Sequence, residues 1–301
     1  MATFPAWLTQ LLEIPEVKDI LVSGNDCQID RGQGLETIAA PLPSLEQLTQ
    51  DLRELAFNLG ARLDIASPVA DVGRDNLRFH LVLPHSISDV PHLSVRLHPA
   101  ERISIGQLVE ADFVSQQQAS FLMRQVEFHK TIVISGPTGS GKTTLLRALI
   151  ADLDERIIAI EQIPELNLPH PAISLVSRPG DQDAKGEITL ADLVTHSLRM
   201  RPDRVVVGEV RKSEFAAFLQ AVSNGHPGSL TTLHASSIDA VPRRLVTLGL
   251  LSGFTRELTV ELVLGAIDLV VQLERSGGKR QIQSIAELAR DNGDIQMREI
   301  S

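Results

Sequence analysis

An α/β fold is predicted here, a mainly parallel sheet built round a phosphate-binding turn with a small α+β domain ahead of it. Three observations predict it. Gly136-Pro137-Thr138-Gly139-Ser140-Gly141-Lys142-Thr143-Thr144 has the GxxxxGK[ST] spacing of a P-loop, between an apolar β-branched run and a good helix former. From Thr131 onward, short apolar runs alternate with helical periodicity, as parallel strands covered by helices do. Residues 1–98 instead carry alternating strands broken by turn residues, with one amphipathic helix among them.

The 301-residue chain has room for two domains, and its 43% apolar and 22% charged content is that of a chain with a buried core. Its longest apolar stretches, such as residues 262–271, are broken by Gly265 and Asp268, so no membrane span is expected. Residues 1–5 lack a basic region before an apolar core, so no signal peptide is expected, and the single Cys27 allows no internal disulfide, as suits a reducing cytosol. A formal charge of −10 argues against a broad nucleic-acid surface, which needs clustered Lys and Arg.

In the first domain, residues 17–22 and 27–30 alternate as half-buried strands about Gly24-Asn25-Asp26. Ser44 is placed to cap a helix over 44–59, with Leu45, Leu48, Leu52, Leu55 and Leu59 inward and Gly60 ending it. Strands follow at 78–83 and 93–97, punctuated by Pro84, Pro91 and Pro99. His98-Pro99-Ala100-Glu101-Arg102 marks the change of period, giving domains at 1–98 and 113–301 with a linker over 99–112; helices are expected at 105–109 and 115–128. Buried strands are expected at 131–135, 157–161, 205–207 and 229–233, and the tail segments 269–274, 281–288 and 296–300 read as antiparallel hairpins at an edge.

Gly136, Gly139 and Gly141 let backbone N–H groups close round a phosphate chain, and a helix starting near Lys142 points its positive end at the same anion. Pro137, Thr138, Ser140 and Thr144 complete the cradle, Lys142 reaches the β- and γ-phosphates, and the Thr143 hydroxyl is placed for Mg²⁺. Acids that finish the metal shell or orient water belong at the C-terminal ends of the parallel strands. Glu161 ends Ile157-Ile158-Ala159-Ile160, and Glu209 follows Arg204-Val205-Val206-Val207-Gly208; Asp203 stands at the entry end of that same strand and reads as structural. His234 ends another strand, where an imidazole can orient the γ-phosphate region.

These strings, together with Ile160-Glu161-Gln162-Ile163-Pro164-Glu165-Leu166 and Gly225-His226-Pro227-Gly228-Ser229-Leu230-Thr231-Thr232-Leu233-His234, resemble the Walker A, Asp-box, Walker B and His-box motifs of the type II/type IV secretion ATPases. Asp19-Ile20-Leu21-Val22-Ser23-Gly24 and Leu93-Ser94-Val95-Arg96 extend the likeness to the first domain, and it is closest to the tight-adherence, CpaF-like branch. The resemblance implies a RecA-like ATPase domain behind a PAS-like domain. It also implies ATP and Mg²⁺ as cofactors, and a homo-oligomeric, six-membered ring peripheral to the cytoplasmic face of a membrane. Hydrolysis would swing one domain against the other and act on a membrane platform protein, with no direct nucleic-acid binding; the longer leaders of some relatives are not expected. By that likeness Glu161 activates water, Glu209 serves Mg²⁺, and His226 and His234 form the His-box pair. Arg78 and Arg96 approach nucleotide, and Arg199, Arg201 and Arg211 stand near the ring interface.

The chain departs from the family pattern at Gln162 and Pro227, where Asp is usual. The first change removes an Asp-box carboxylate and the second stiffens the His-box loop. Besides a secretion or pilus motor, the sequence admits a nucleotide-binding regulatory or scaffold subunit without turnover, and a RecA-like ATPase of conjugation or DNA transfer.

Overall fold

The structure, a computed structural model, describes residues 4–74, 76–84, 87–97, 103–168, 171–178 and 186–300. Of the linker expected over 99–112, residues 99–102 lie outside them, and Ile105–Glu110 is helical. The chain divides into two compact units, the first up to Ala100 with Ile163–Glu165, the second holding the remainder.

The first unit contains α1 (Ala6–Leu12), β1 (Asp19–Ser23), β2 (Asp26–Asp30), β3 (Leu35–Ile38), α2 (Leu45–Asn58), β4 (Val69–Arg74), β5 (Leu77–Val82) and β6 (His92–Leu97). Among the described residues its strands form one antiparallel sheet in the order β3-β2-β1-β6-β5-β4. Alternate residues point inward, Ile20, Val22, Cys27, Ile29, Phe79, Leu81, Leu93 and Val95, and share a core with Leu48, Leu52 and Leu55 of α2. Ser44 Oγ accepts from Gln47 N at 3.3 Å, the expected cap, and Gly60 follows the helix at φ +79°. Leu45 is not part of the buried stripe, being 38% exposed. Strands β3 and β4 and the short α1 were not expected from the sequence: β3 and β4 lie at the sheet edges, and β3 buries none of its four side chains, so it carries no apolar alternation.

The second unit runs through α3 (Ile105–Glu110), α4 (Gln116–Glu127), β7 (Ile132–Gly136), α5 (Lys142–Ile150), β8 (Ile157–Glu161), β9 (Ile173–Val176), α6 (Leu190–Ser197), β10 (Arg204–Val207), α7 (Glu214–Ser223), β11 (Leu230–His234), α8 (Val241–Leu251), α9 (Arg256–Ala266), β12 (Leu269–Ser276), β13 (Lys279–Asp291) and β14 (Asp294–Glu299). Among the described residues its sheet has the order β14-β13-β12-β7-β11-β10-β8-β9, parallel from β12 to β9 and antiparallel at β12-β13-β14. Strands alternate between two cores: Ile132, Ile134, Ala159 and Val206 face α3, α4 and α5, whereas Val133, Ile158, Ile160, Val205 and Val207 face α6 to α9. Burial on both faces is why these runs are short and uniformly apolar.

The three tail strands pair antiparallel in sequence, as expected, but they do not all lie at the edge. Strand β12 is interior, pairing in parallel with β7, because Leu269 and Val271 enter one core and Val270 the other. Only β13 and β14 form the edge hairpin. Strand β9, only alternately half-buried, closes the opposite edge and has no clear sequence signal.

At the entry end of β10, Asp203 Oδ2 accepts from Arg156 N at 2.8 Å, the structural use expected of it. The neighbouring Arg204 is fully buried. Its Nε and Nη2 reach Glu155 at 2.7 and 2.9 Å, Nη2 also donates to Val126 O at 3.1 Å, and Nη1 donates to Gly228 O. This fork ties β10 to α4 and to the turn before β11. Arg204→Ala strands the Glu155 carboxylate and two carbonyls, and is expected to lower the unfolding free energy by about 3–5 kcal/mol in urea titrations.

Candidate active site

Strand β7 is buried to its last residue, Gly136, where no side chain fits: a Cβ there would stand 2.6 Å from Ser140 Oγ and 2.9 Å from Leu273 O. The chain therefore turns tightly through Pro137 and Thr138. Gly139 (φ +74°) and Gly141 (φ +95°) take left-handed backbone, and Gly141 leaves room for the Phe113 ring, which a Cβ would meet at 2.9 Å. Helix α5 starts at Lys142 with its free N–H groups at this turn, the geometry that receives phosphate.

Lys142 Nζ donates to Gly136 O and Pro137 O, each at 3.0 Å, curling over the turn. Burial pushes its pKa below the ordinary lysine value; the Glu209 charge raises it and the Arg211 charge lowers it further. Glu209 follows Gly208 at the end of β10, and its Oε2 accepts from Arg211 Nη2 at 2.6 Å. Thr232 Oγ1 donates to Gly208 O at 2.7 Å and Val210 N to Thr232 O at 3.0 Å, so the loop carrying Glu209 is fastened to β11.

The register β11·β7 sets His234 opposite Gly136, and His234 Nε2 lies 3.3 Å from Thr138 Oγ1. His226 is not brought there. It precedes β11, and parallel strands share their polarity, so it stands at the opposite end of the strand from the glycine turn.

Glu161 ends β8, beyond β11 and β10 from β7. It is 4% exposed, and its Oε1 accepts from Leu166 N at 2.9 Å. Its charge is felt by Arg147 of α5, whose pKa burial pushes down while Glu161 pulls it back up. Glu209 is thus coupled to Lys142, and Glu161 to Arg147. Arg78 and Arg96 lie in the first unit: Arg78 Nη1 donates to Glu165 Oε1 at 3.0 Å, and Arg96 Nε to Asp19 Oδ1 at 2.7 Å.

Two arginines of the second unit escaped the sequence reading, Arg147 in the last turn of α5 and Arg275 beside the glycine turn. Arg147 is a lone cation in the apolar run Leu145-Leu146-Arg147-Ala148-Leu149-Ile150, which was its only signal. Arg275, at the end of β12, has its Nη1 3.3 Å from where a Gly139 Cβ would stand, a proximity created by the unexpected β12·β7 pairing.

The turn fits a polyphosphate. It offers a crowded glycine cradle, the α5 N-terminus, a buried ammonium and a buried Ser140 Oγ that has no hydrogen-bond partner among the described residues. Those residues contain no cluster of three or more His, Cys, Asp or Glu able to hold a metal by itself, so Mg²⁺ would need phosphate oxygens alongside Thr143 and Glu209.

The family model described as "Type II/IV secretion system protein" matches residues 69–299. A putative conjugal transfer protein of Mycobacterium tuberculosis is 34% identical over 302 aligned positions, covering 96% of this chain and 86% of that protein. The crystal structure of the VirB11 ATPase from the Brucella suis type IV secretion system, in complex with sulphate, is 25% identical with a TM-score of 0.51, covering 95% of this chain and 96% of that one. The Legionella pneumophila ATPase DotB shares the fold at a TM-score of 0.67 and 21% identity, over 97% of this chain and 84% of that one. The chain belongs to the type II/IV secretion system protein family, whose members are P-loop ATPases.

Phosphate binds the protonated lysine, so ATP affinity should be full while Lys142 is charged in the free protein and decline as pH rises through its lowered pKa. Affinity titrations from about pH 7 to about pH 10 check this; Lys142→Arg, which stays charged, should remove the decline.

Proposed function

We propose that this chain is the ATP-hydrolysing motor of a type II/IV secretion or pilus machine, working as a homo-oligomeric, six-membered ring at the cytoplasmic face of a membrane and acting on a membrane platform protein. The observation that carries the reading is the P-loop itself, crowded glycines between a buried strand and the start of α5, with Lys142 folded onto its carbonyls and His234 in register with Gly136. Among the described residues no helix is long and apolar enough to cross a membrane, in keeping with peripheral attachment.

In this reading residues 136–144 hold the ATP phosphates, with Lys142 on the β- and γ-oxygens. Thr143 and Glu209 hold Mg²⁺, which supplies positive charge to the phosphoryl oxygens when bound. His234, within hydrogen-bonding reach of Thr138, orients the γ-phosphate end. Glu161 takes the water-activating role that the family likeness implies, from the far side of β10. Arg275 adds positive charge beside Gly139. Arg78 and Arg96 serve as first-domain nucleotide ligands, and hydrolysis moves one domain against the other.

A second reading concerns the machine served. The Mycobacterium tuberculosis relative, alike over nearly the whole chain, is named a putative conjugal transfer protein, which favours conjugation over a tight-adherence pilus. Relaxase genes beside this one would support it, and pilin and platform genes would support the pilus.

Phosphate release by the full chain with Mg²⁺ and ATP tests the activity. Glu209→Gln is expected to lower turnover by about a hundredfold or more, and Glu161→Gln to lower it as well. Equal background rates in parent and both variants would instead mean a nucleotide-binding scaffold without turnover.

A further inference from the structure

The second unit holds an open pocket of about 840 Å³ lined by His234, the Glu209 loop and the first turns of α8. Its charged lining is Arg211, Lys212, Arg243 and Arg244 against the single carboxylate of Glu209, which Arg211 already neutralises. Such a concentration of cations on a chain of net charge −10 focuses a local positive potential at one mouth.

Arg243 and Arg244 have no structural task that would account for them. Among the described residues neither side chain has an ion-pair partner, and the buried Arg244 Nε has no acceptor. They also stand in the first turn of α8, which carries no acid, so their charges oppose the helix dipole and each other. Adjacent guanidinium forks with open hydrogen-bond capacity, beside an ammonium and an imidazole, match the oxygens of a small tetrahedral oxyanion.

The inner wall of the pocket fixes which oxyanion. His234 lines it, and His234 Nε2 is 3.3 Å from Thr138 Oγ1 of the P-loop. His234 is thus shared between the P-loop, where an anion would be freed, and this pocket. We propose that the pocket is a binding site for inorganic phosphate, in which Arg243 and Arg244 receive the product after ATP cleavage and hold it before it leaves to solvent. The product role rests on the hydrolysis proposed above; the phosphate site itself does not. Product held here keeps the Glu209 loop and α8 bridged through one anion, so phosphate departure becomes a step at which α8 is released.

Equilibrium dialysis of the full chain against radiolabelled inorganic phosphate tests the site in a Lys142→Ala background, which removes the P-loop ammonium. Phosphate binding is expected to persist in Lys142→Ala. Adding Arg243→Gln with Arg244→Gln should weaken it about tenfold or more, and Arg243→Lys with Arg244→Lys, which keep the charge and lose the fork, should restore only part of it. Coincident thermal melting of the variants shows that the fold is intact. Binding abolished by Lys142→Ala alone, or unchanged by the arginine-to-glutamine pair, overturns the proposal. Because dialysis needs no turnover, arginine-dependent phosphate binding by a chain that never cleaves ATP would overturn the proposed activity and support the site.

Discussion

The end of β7 has no room for a side chain, and most of the active-site geometry follows from that crowding. Ser140 Oγ and Leu273 O close on Gly136 from two sides, so the backbone must leave the sheet there and turn through left-handed glycines before α5 can begin. The turn is thereby pinned to the sheet on one side and to the helix start on the other. Lys142 is the first residue of that helix, and its ammonium falls back onto the carbonyls of the turn. A free energy of order several kcal/mol in buried apolar contacts on both faces of the sheet stands behind this arrangement, because β7 cannot shift without disturbing two cores.

Around the turn, the parallel register acts as a ruler. Strands of one polarity deliver their C-terminal residues to one edge, which is why His234 and the Glu209 loop arrive beside the glycines and His226 does not. Lateral order then grades the acids. Glu209 lies two strands from β7 and is exposed enough to pair with Arg211, whereas Glu161, a strand further away, is buried and accepts from Leu166 N. The two glutamates looked equivalent as strand-end residues, and the sheet order separates them.

Charge is distributed against the average of the molecule. The chain as a whole is acidic, yet Lys142 and Arg275 stand at the glycine turn, and Arg243 and Arg244 line a pocket that His234 shares. Concentrating cations where a polyanion would sit costs self-repulsion in the empty protein, and the bound anion offsets it. By contrast, Arg204 and Glu155 meet deep in the fold with matched forks, a charge pair that serves packing.

Much of this was legible in the residues. The P-loop spacing, the β-branched run before it and the helix former after it, the Ser44 cap and the period of α2 identified the glycine turn, its flanking elements and the class of each domain, because local sterics and apolar periodicity act over a few neighbouring residues. The edge strands β3, β4 and β9 left only a weak pattern, since β3 buries no side chain and β4 and β9 are covered only in part. The place of β12 beside β7 was likewise hidden: an apolar run says that a strand is buried and not which neighbour it pairs with. Local chemistry therefore determined that this chain would build a phosphate turn between a strand and a helix. Only long-range pairing decided which acid stands on the strand nearer that turn, which arginine lies beside it and which histidine reaches it, because those are distances between segments far apart in the chain.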